Sequence, residues 1–362
     1  MLGEYESLDE LNYLASKLDE LDDHDYNHFQ VAMQISDYTG SIKDVINLID
    51  NLDKYEIYPG VESNADLGHY YIEELGMMEV PDYLADYIDY EAYGRLIDWQ
   101  IDAGVAGLVA CGTTGEPATL TPDERELVIR EVVAAARGRV PVICGTGSNC
   151  TQTVIDTERR YRGLGCVAQL VVTPYYNKTT QEGLYAHFMA IAEHTELPIV
   201  LYNVPGRTGL DIAPETIDRL PEGGRFVALK ESSYDLPRVM EKISAMRGRL
   251  TLYSGNDDMI YPLLALGAEG VISVLANVAP AYVSGMTGAY FSGKTERALA
   301  MQTECLPLVR ALFSEVSPIP CKYAMELLGL CGGELRLPLI GAGENTRRKL
   351  REALVQMGIL IA

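Results

Sequence analysis

The chain has 362 residues, 48% of them hydrophobic, and a mean hydropathy of +0.00. A chain of this size and composition buries the core of one large domain and one small domain. It has no apolar run long enough to cross a membrane, and its first residues lack the basic and apolar regions of a signal peptide. We therefore expect a cytoplasmic protein with no membrane partner.

The net charge of −23 is concentrated at one end of the chain. Residues 1–90 contain 22 Asp and Glu against 3 Lys, a net charge of −19, which leaves −4 for residues 91–362. Helical patterns at 8–21 and 41–52 predict a small, acidic, mainly helical N-terminal domain over residues 1–90. On composition alone, a solvated acidic appendage is the plainest interpretation of this domain.

Seven cysteines contain no C-x-x-C pair and lie mostly in apolar surroundings. This pattern favours buried free thiols over a disulfide framework or a zinc site. We expect no metal and no cofactor.

Short apolar runs alternate with helical patterns after residue 104, which indicates βα units around a parallel sheet. The clearest helix start is Thr121, with Pro122 at the first helical position and Glu124 placed for a capping box. Seven strands are predicted, at 106–111, 140–147, 168–174, 198–205, 226–231, 251–255 and 270–278.

Seven such strands predict an α/β fold, a TIM (β/α)₈ barrel that needs eight strands and lacks one. Residues 96–105 have a helical apolar face that leads into the first predicted strand, but the residues before them contain no apolar run of strand length. The missing strand is therefore the first one. We expect a barrel over residues 91–279 and a C-terminal helical extension over residues 280–362.

Polar residues at the ends of the predicted strands are the candidates for chemistry, because active sites of this barrel class lie there. Thr113 and Thr114 follow the first predicted strand in a glycine-flanked turn suited to a carboxylate. Tyr175 and Tyr176 place two phenols side by side after the strand 168–174.

Lys230 ends the apolar run 226–231. Burial lowers the pKa of a lysine amine toward the range in which the amine is a nucleophile, which is what a Schiff base requires. The alternative is a lysine that extends from the strand end to water. Tyr202 is either an acid–base group or a core tyrosine, and Arg207 is either a carboxylate ligand or a solvated loop residue.

Six segments together resemble dihydrodipicolinate synthase over residues 91–362, in order and without large gaps. They are GTTGEPATL (112–120), VVTPYYNKTTQEGLYAHF (171–188), LYNVPGRTG (201–209), ALKES (228–232), SGNDD (254–258) and GVISVLANV (270–278). The resemblance implies a metal-independent lyase of lysine and diaminopimelate biosynthesis. It would condense pyruvate with L-aspartate 4-semialdehyde through a lysine Schiff base, giving 4-hydroxy-tetrahydrodipicolinate. Sister lyases that cleave sialic acid or keto-deoxy sugar acids share the lysine, but the TTGE, YYN and RTG segments favour the synthase.

The same resemblance assigns roles to individual residues. Lys230 would form the Schiff base, and Thr113 and Thr114 would hold the pyruvate carboxylate. The remaining assignments are Tyr176 and Tyr202 in a proton relay with Thr113, Tyr175 in a neighbouring subunit's site, Arg207 on the semialdehyde carboxylate, and Ile272 and Gly255 in the substrate pocket. A homo-oligomer, tetramer or dimer, is expected because Tyr175 needs a neighbour.

Regulation departs from the family pattern. Lysine-sensitive members have glutamate and histidine in an allosteric cleft where this chain has Thr153, Pro122 and Arg125, although Asn149 and Tyr175 remain. We expect weak feedback inhibition by lysine, or none.

The N-terminal stretches EYESLDELNYLASKLDEL (4–21), YTGSIKDVINLIDNLDKYEIYPGVES (38–63) and LGHYYIEELGMMEVPDYLADYIDYEAYGR (67–95) resemble a truncated ArdA-type antirestriction protein. The resemblance implies a DNA mimic whose carboxylates stand in for phosphates and bind a restriction–modification enzyme, with no direct binding of nucleic acid. The second hypothesis for the whole chain is therefore an antirestriction protein that carries the barrel as a passenger.

Overall fold

The structure, a computed structural model, describes residues 8–21, 25–26, 29, 42–50, 52 and 90–361. The chain divides into two compact units, Met1–Tyr87 and Ile88–Ala362. Most of the three segments that carry the antirestriction resemblance lies outside the described residues, namely residues 4–7, 38–41, 51, 53–63 and 67–89. No helix in the described part is both long and apolar enough to cross a membrane.

The first unit contains two described helices, α1 (Leu8–Asp19) and α2 (Ile42–Ile49). Their apolar faces share a small core in which Leu14 packs with Ile42 and Leu48. Lys17 Nζ lies 2.6 Å from Asp50 Oδ1 at the surface of this pair. The predicted helical character holds for these two segments.

The second unit contains a parallel sheet of seven strands in sequential order. The strands are β1 (Leu108–Ala110), β2 (Val142–Gly145), β3 (Ala168–Val172), β4 (Ile199–Asn203), β5 (Phe226–Glu231), β6 (Thr251–Ser254) and β7 (Gly270–Val271). Within residues 90–361, β1 pairs only with β2 and β7 pairs only with β6. The predicted barrel-type α/β fold is confirmed, and the described residues contain no strand before β1.

Helices follow the strands and cover the outer face of the sheet. In chain order they are α3 (Tyr90–Asp102), α4 (Pro122–Ala136), α5 (Thr151–Tyr161), α6 (Gln181–His194), α7 (Pro205–Thr208), α8 (Pro214–Asp218), α9 (Leu236–Met246), α10 (Ile260–Ala265), α11 (Pro280–Phe291), α12 (Thr295–Leu312), α13 (Ile319–Leu327) and α14 (Glu344–Gln356). The last four form the predicted C-terminal helical extension, and their apolar faces join the core that backs the sheet.

The start of α4 follows its sequence signature. Thr121 Oγ1 accepts from Glu124 N at 3.2 Å, and Glu124 Oε2 accepts from Thr121 N at 2.7 Å, which completes the capping box. Arg336 from the C-terminal extension binds the same carboxylate through two nitrogens, at 2.6 and 2.8 Å. Because of these bonds, above all the one to Arg336, the pKa of Glu124 lies below its ordinary value.

All seven cysteines are free, as expected. Four are buried and two are partly buried, but Cys150 is exposed at the start of α5. The expectation of burial fails at Cys150 because this residue precedes the helix rather than facing its apolar side.

Two faces of the strands carry different residues, as the period of two requires. Leu201 and Leu229 face the helices, while Tyr202 and Ala228 face the interior of the half-barrel. Lys230 lies two residues after Ala228 in β5, so its side chain faces the interior like that of Ala228 and opposite to that of Leu229.

His187 of α6 is buried with its Nδ1 2.9 Å from Thr151 Oγ1. Burial lowers the pKa of His187 to about 4, from an ordinary value of 6.5. Between these two pH values the unfolded chain takes up a proton that the folded chain does not, so stability is lost as the pH falls.

The free energy of unfolding should therefore fall less steeply with pH when His187 is replaced. We expect His187→Gln to reduce the loss in unfolding free energy between pH 7 and pH 5 by about 2 kcal/mol. Urea unfolding of both proteins at the two pH values measures this, and equal losses would contradict it.

Candidate active site

Lys230 lies near the end of β5 with 8% of its surface exposed. Its neighbours in the sheet register are Tyr202 of β4 and Tyr253 of β6. The Nζ atom is 4.1 Å from the centroid of the Tyr202 ring. A buried amine is thus held against an aromatic face, which keeps the phenol beside the amine.

Gly255 follows β6 directly beside this amine. A Cβ at this position would lie 3.0 Å from Lys230 Cε and 2.0 Å from Ser232 Oγ, closer than side chains tolerate. The Gly255 amide donates to the Glu231 carbonyl at 2.8 Å, which continues the sheet pairing one residue beyond β6. The absence of a side chain at Gly255 therefore leaves room for the Lys230 stem.

Ile272 follows β7, and its amide donates to the Ser254 carbonyl at 2.8 Å. Its side chain is partly buried. This pairing places Ile272 beside the end of β6, one strand further from Lys230 than Gly255. Lys230, Gly255 and Ile272 thus follow one another along the carboxyl-end edge of the sheet, here termed the rim.

Thr113 and Thr114 form a single 3₁₀ turn, Thr113–Gly115, after β1. Thr113 is exposed and Thr114 is partly buried. The turn ends at Glu116, whose carboxylate accepts from Lys322 Nζ at 2.7 Å. The two threonines share the carboxyl-end rim with Lys230, but no hydrogen bond in the described part joins them to Lys230 or Tyr202.

Tyr175 and Tyr176 lie in the turn after β3. Tyr176 has a φ of +68° and is 91% exposed, whereas Tyr175 is 41% exposed. Neither phenol hydrogen-bonds to Thr113 or Tyr202 in the described part of the chain. The side chain of Tyr176 is therefore more accessible to a second molecule than that of Tyr175.

Arg207 lies in α7, directly after β4, and is exposed. Its Nη2 donates to the Ser317 carbonyl at 3.1 Å, which links the loop to the C-terminal extension. The guanidinium keeps further donors free of this bond, so it can still bind a carboxylate at the rim.

Asp257 is a buried acid that the sequence interpretation left without a role. Its carboxylate accepts from the amides of Val274 and Leu275, at 3.0 and 2.9 Å, and from the Ser273 hydroxyl. Burial raises the pKa of Asp257, while these hydrogen bonds, first that from Ser273, and to a lesser extent Lys230 act against that rise. The signal was present in the SGNDD segment, where two acids directly follow a buried strand.

No cluster of three or more His, Cys, Asp or Glu side chains suited to a metal ion occurs in residues 90–361 or in the described helices of the first unit. The chemical resources at the rim are one buried amine, three phenols, two threonine hydroxyls and an arginine. An amine, a neighbouring phenol and an anion-binding guanidinium suit carbonyl chemistry on a carboxylate-bearing substrate.

Comparison with known proteins identifies relatives of both parts. Residues 75–357 match the dihydrodipicolinate synthetase family, and residues 1–108 match the antirestriction protein ArdA. The two matches overlap over residues 75–108, the region in which α3 leads into β1. Both resemblances inferred from the sequence are confirmed.

Curated and solved relatives agree with the larger match. The 4-hydroxy-tetrahydrodipicolinate synthase of Thermoanaerobacter sp. (strain X514) is 45% identical over 274 residues, 75% of this chain and 92% of that protein. The chloride-inhibited dihydrodipicolinate synthase from Acinetobacter baumannii, solved with pyruvate, is 42% identical with a TM-score of 0.73, over 75% of this chain and 94% of that one. The lysine-bound enzyme from Cyanidioschyzon merolae is 38% identical with a TM-score of 0.72, over 75% and 93%.

Proposed function

Because the chain belongs to the dihydrodipicolinate synthetase family, we propose that it is an enzyme that condenses pyruvate with L-aspartate 4-semialdehyde to give 4-hydroxy-tetrahydrodipicolinate. The observation that carries this proposal is Lys230, a buried amine held 4.1 Å from the Tyr202 ring at the carboxyl-end rim of a family barrel. The activity belongs to lysine and diaminopimelate biosynthesis.

The proposed chemistry needs only an amine and proton-transfer groups. The Lys230 amine attacks the ketone carbon of pyruvate, and loss of water gives an iminium. The iminium then accepts the electron pair left when a methyl proton departs, and the resulting enamine adds to the aldehyde carbon, which regenerates the iminium. The amine of the semialdehyde then attacks the iminium carbon, which closes the ring and releases the Lys230 amine. Since the iminium is the electron sink, the proposed mechanism is of the class I, metal-independent kind.

The other site residues keep the roles that the resemblance implies, now as proposals. Tyr202 is supported by its contact with Lys230, and Gly255 by the room it leaves for the Lys230 stem. Thr113 and Thr114 would hold the pyruvate carboxylate, Arg207 the semialdehyde carboxylate, and Ile272 would line the pocket. Tyr176 would complete the proton relay with Thr113 and Tyr202, and Tyr175 would reach a neighbouring subunit's site in an oligomer, tetramer or dimer. The greater exposure of Tyr176 makes it the alternative candidate for the contact with a second copy.

We also propose the division into an acidic domain (1–90), a barrel (91–279) and a C-terminal extension (280–362). A cytoplasmic location is supported by seven free cysteines, which reducing compartments maintain.

Borohydride reduction of the protein with pyruvate, followed by peptide mass mapping, tests the proposal. A reduced pyruvyl adduct on Lys230, together with product formation in a synthase assay, is the expected result. A folded protein that gives no adduct would overturn it.

Feedback regulation gives a separate prediction. Thr153 offers no carboxylate to a lysine ammonium, and the guanidinium of Arg125 would repel it. We expect free lysine to inhibit with a Kd no tighter than about 1 mM, and Thr153→Glu to strengthen inhibition. A lysine titration of the initial rate decides this, and micromolar inhibition of the unaltered protein would contradict it.

A second candidate function is supported by the charge of −19 over residues 1–90 and by the ArdA match. The N-terminal domain would bind a restriction–modification enzyme in place of DNA. A restriction-protection assay with Lys230→Ala separates the two functions. Protection that survives this substitution belongs to the acidic domain.

A further inference from the structure

The residues that follow Tyr202 and Lys230 face away from the pocket and are joined to each other. Asn203 and Glu231 are direct register partners at the ends of β4 and β5, and both are fully buried. Asn203 Nδ2 donates to Glu231 Oε1 at 2.8 Å. Tyr202 and Lys230, the proposed reactive pair, are therefore each followed by a residue that takes part in a hydrogen bond between the two strands on the opposite face of the sheet.

Lys242 of α9 completes a charge network behind these strands, in which Glu231 and Lys242 are fully buried and Asp211 is partly exposed. Its Nζ, with the side chain fully buried, lies 3.0 Å from Glu231 Oε2 and 2.5 Å from Asp211 Oδ1. Asn203 Nδ2 also donates to Asp211 Oδ1 at 2.8 Å. Asn203, Asp211, Glu231 and Lys242 together form the outer network.

The outer network also orders the loop that follows α7, the helix in which Arg207 lies. Asn203 Oδ1 accepts from the Ile212 amide at 3.0 Å, and Asp211 comes from the same loop, four residues after Arg207. Glu231 Oε1 accepts from the Ser233 amide at 2.7 Å, which holds the chain directly after β5. One network thus joins two strand ends, the loop between α7 and α8, and helix α9.

Burial of these charges is costly, and a core of apolar side chains often stabilises a fold as well as a buried ion pair does. A buried ionic network is therefore better explained by the geometry that it imposes, because charges and hydrogen bonds have directions that apolar contacts lack. Here that geometry is the register between Tyr202 and Lys230.

We infer that Lys242 is a positioning residue of the active site. It acts through Glu231 and Asn203 to hold the Lys230 amine against the Tyr202 ring in the arrangement that forms the imine. This inference rests on the proposed function. A loosening of about 1 Å in a reactive pair costs about 100-fold in rate.

The test uses the double variant Lys242→Met with Glu231→Gln. Lys242→Met alone would leave Glu231 buried and unpaired, and the chain is expected to unfold. The double variant removes one charge of each sign, and the glutamine introduced at position 231 keeps an amide oxygen that can accept from Asn203. Folding is checked by circular dichroism, and the rate of pyruvate trapping by borohydride is then measured per folded molecule.

We expect the double variant to trap pyruvate about 10- to 100-fold more slowly, with kcat reduced more than the KM for pyruvate. Glu158→Gln is the matched control, because it should lower the stability of the fold without changing the site. Glu158 is also fully buried, and it accepts from the amides of Glu196 and Leu197 at 2.7 and 3.0 Å, ahead of the opposite end of β4. This variant should lose stability but keep the trapping rate per folded molecule.

Equal trapping rates in the folded double variant and the unaltered protein would overturn the inference. If the unaltered protein does not trap pyruvate, the proposed function fails instead, and labelling of Lys230 by trinitrobenzenesulfonate becomes the measurement. That reagent needs no substrate site. A Lys230 labelling rate altered about 10-fold in the double variant, with other lysines unaffected, would support the positioning role, and an unaltered rate would reject it.

Discussion

Replacing Lys230 with alanine is expected to abolish the synthase activity, with a loss of at least about 10⁴-fold in kcat. The reason is that the amine forms the covalent bond on which every later step depends, and neither Tyr202 nor Thr113 can form the iminium that serves as the electron sink. A synthase assay and borohydride trapping with pyruvate, both on protein shown to be folded, measure the effect.

Two further variants make this result specific. Lys230→Arg keeps a positive charge over the Tyr202 ring, but a guanidinium does not lose its proton and cannot form an imine, so it should be equally inactive. Lys349→Ala removes an exposed lysine from α14 and should change nothing. A pyruvyl adduct on another lysine of the Lys230→Ala protein would refute the assignment.

Supplying the missing strand is expected to have the second large effect. In residues 90–361, β1 and β7 each have one edge without a strand partner. The backbone groups of such edges lack ladder hydrogen bonds, and one set of inward-facing side chains is missing from the interior. A chimera in which the segment before α3 is replaced by the first strand of the Thermoanaerobacter relative should close the barrel.

Closure should raise the Tm by about 5–10 °C, since about three apolar side chains would be buried at roughly 1.5–3 kcal/mol each before the entropy of ordering is subtracted. The pyruvate trapping rate should rise by about 10-fold as Lys230 and the rim loops become better ordered. A proline in the middle of the grafted strand is the control, because it removes a ladder hydrogen bond. An unchanged Tm in the chimera would mean that the backbone groups at the free edges of β1 and β7 already have hydrogen-bond partners.

The strands were predictable from the sequence because each is a short apolar run between helical patterns. The run 270–278 was the exception, since the strand covers only Gly270–Val271 and Leu275–Asn277 form a 3₁₀ turn. The apolar residues continue past the strand because Leu275, the first residue of this turn, is itself fully buried. The amides of Val274 and Leu275 donate to the Asp257 carboxylate rather than to a neighbouring strand, and Asp257 lies 17 residues before Val274.

The contact between Lys230 and Tyr202 was predictable to a similar depth. A lysine in an apolar strand and a tyrosine at the end of the preceding strand meet because consecutive parallel strands are neighbours. The outer network could not be read from the sequence, because its four members come from two strands, a loop and a helix. Asp211 and Lys242 look like ordinary surface residues until the fold brings them together.

The ion pairs Glu124–Arg336 and Glu116–Lys322 tie the segment after β1 to the C-terminal extension. β1 has one strand neighbour in residues 90–361, so these pairs are a second tether for this edge of the sheet. Arg336 and Lys322 are partly exposed, and salt weakens their attraction to the two glutamates. In concentrated salt the amide hydrogens of β1 should therefore exchange with solvent faster, while those of β4 and β5, enclosed by strands on both sides, should keep their protection.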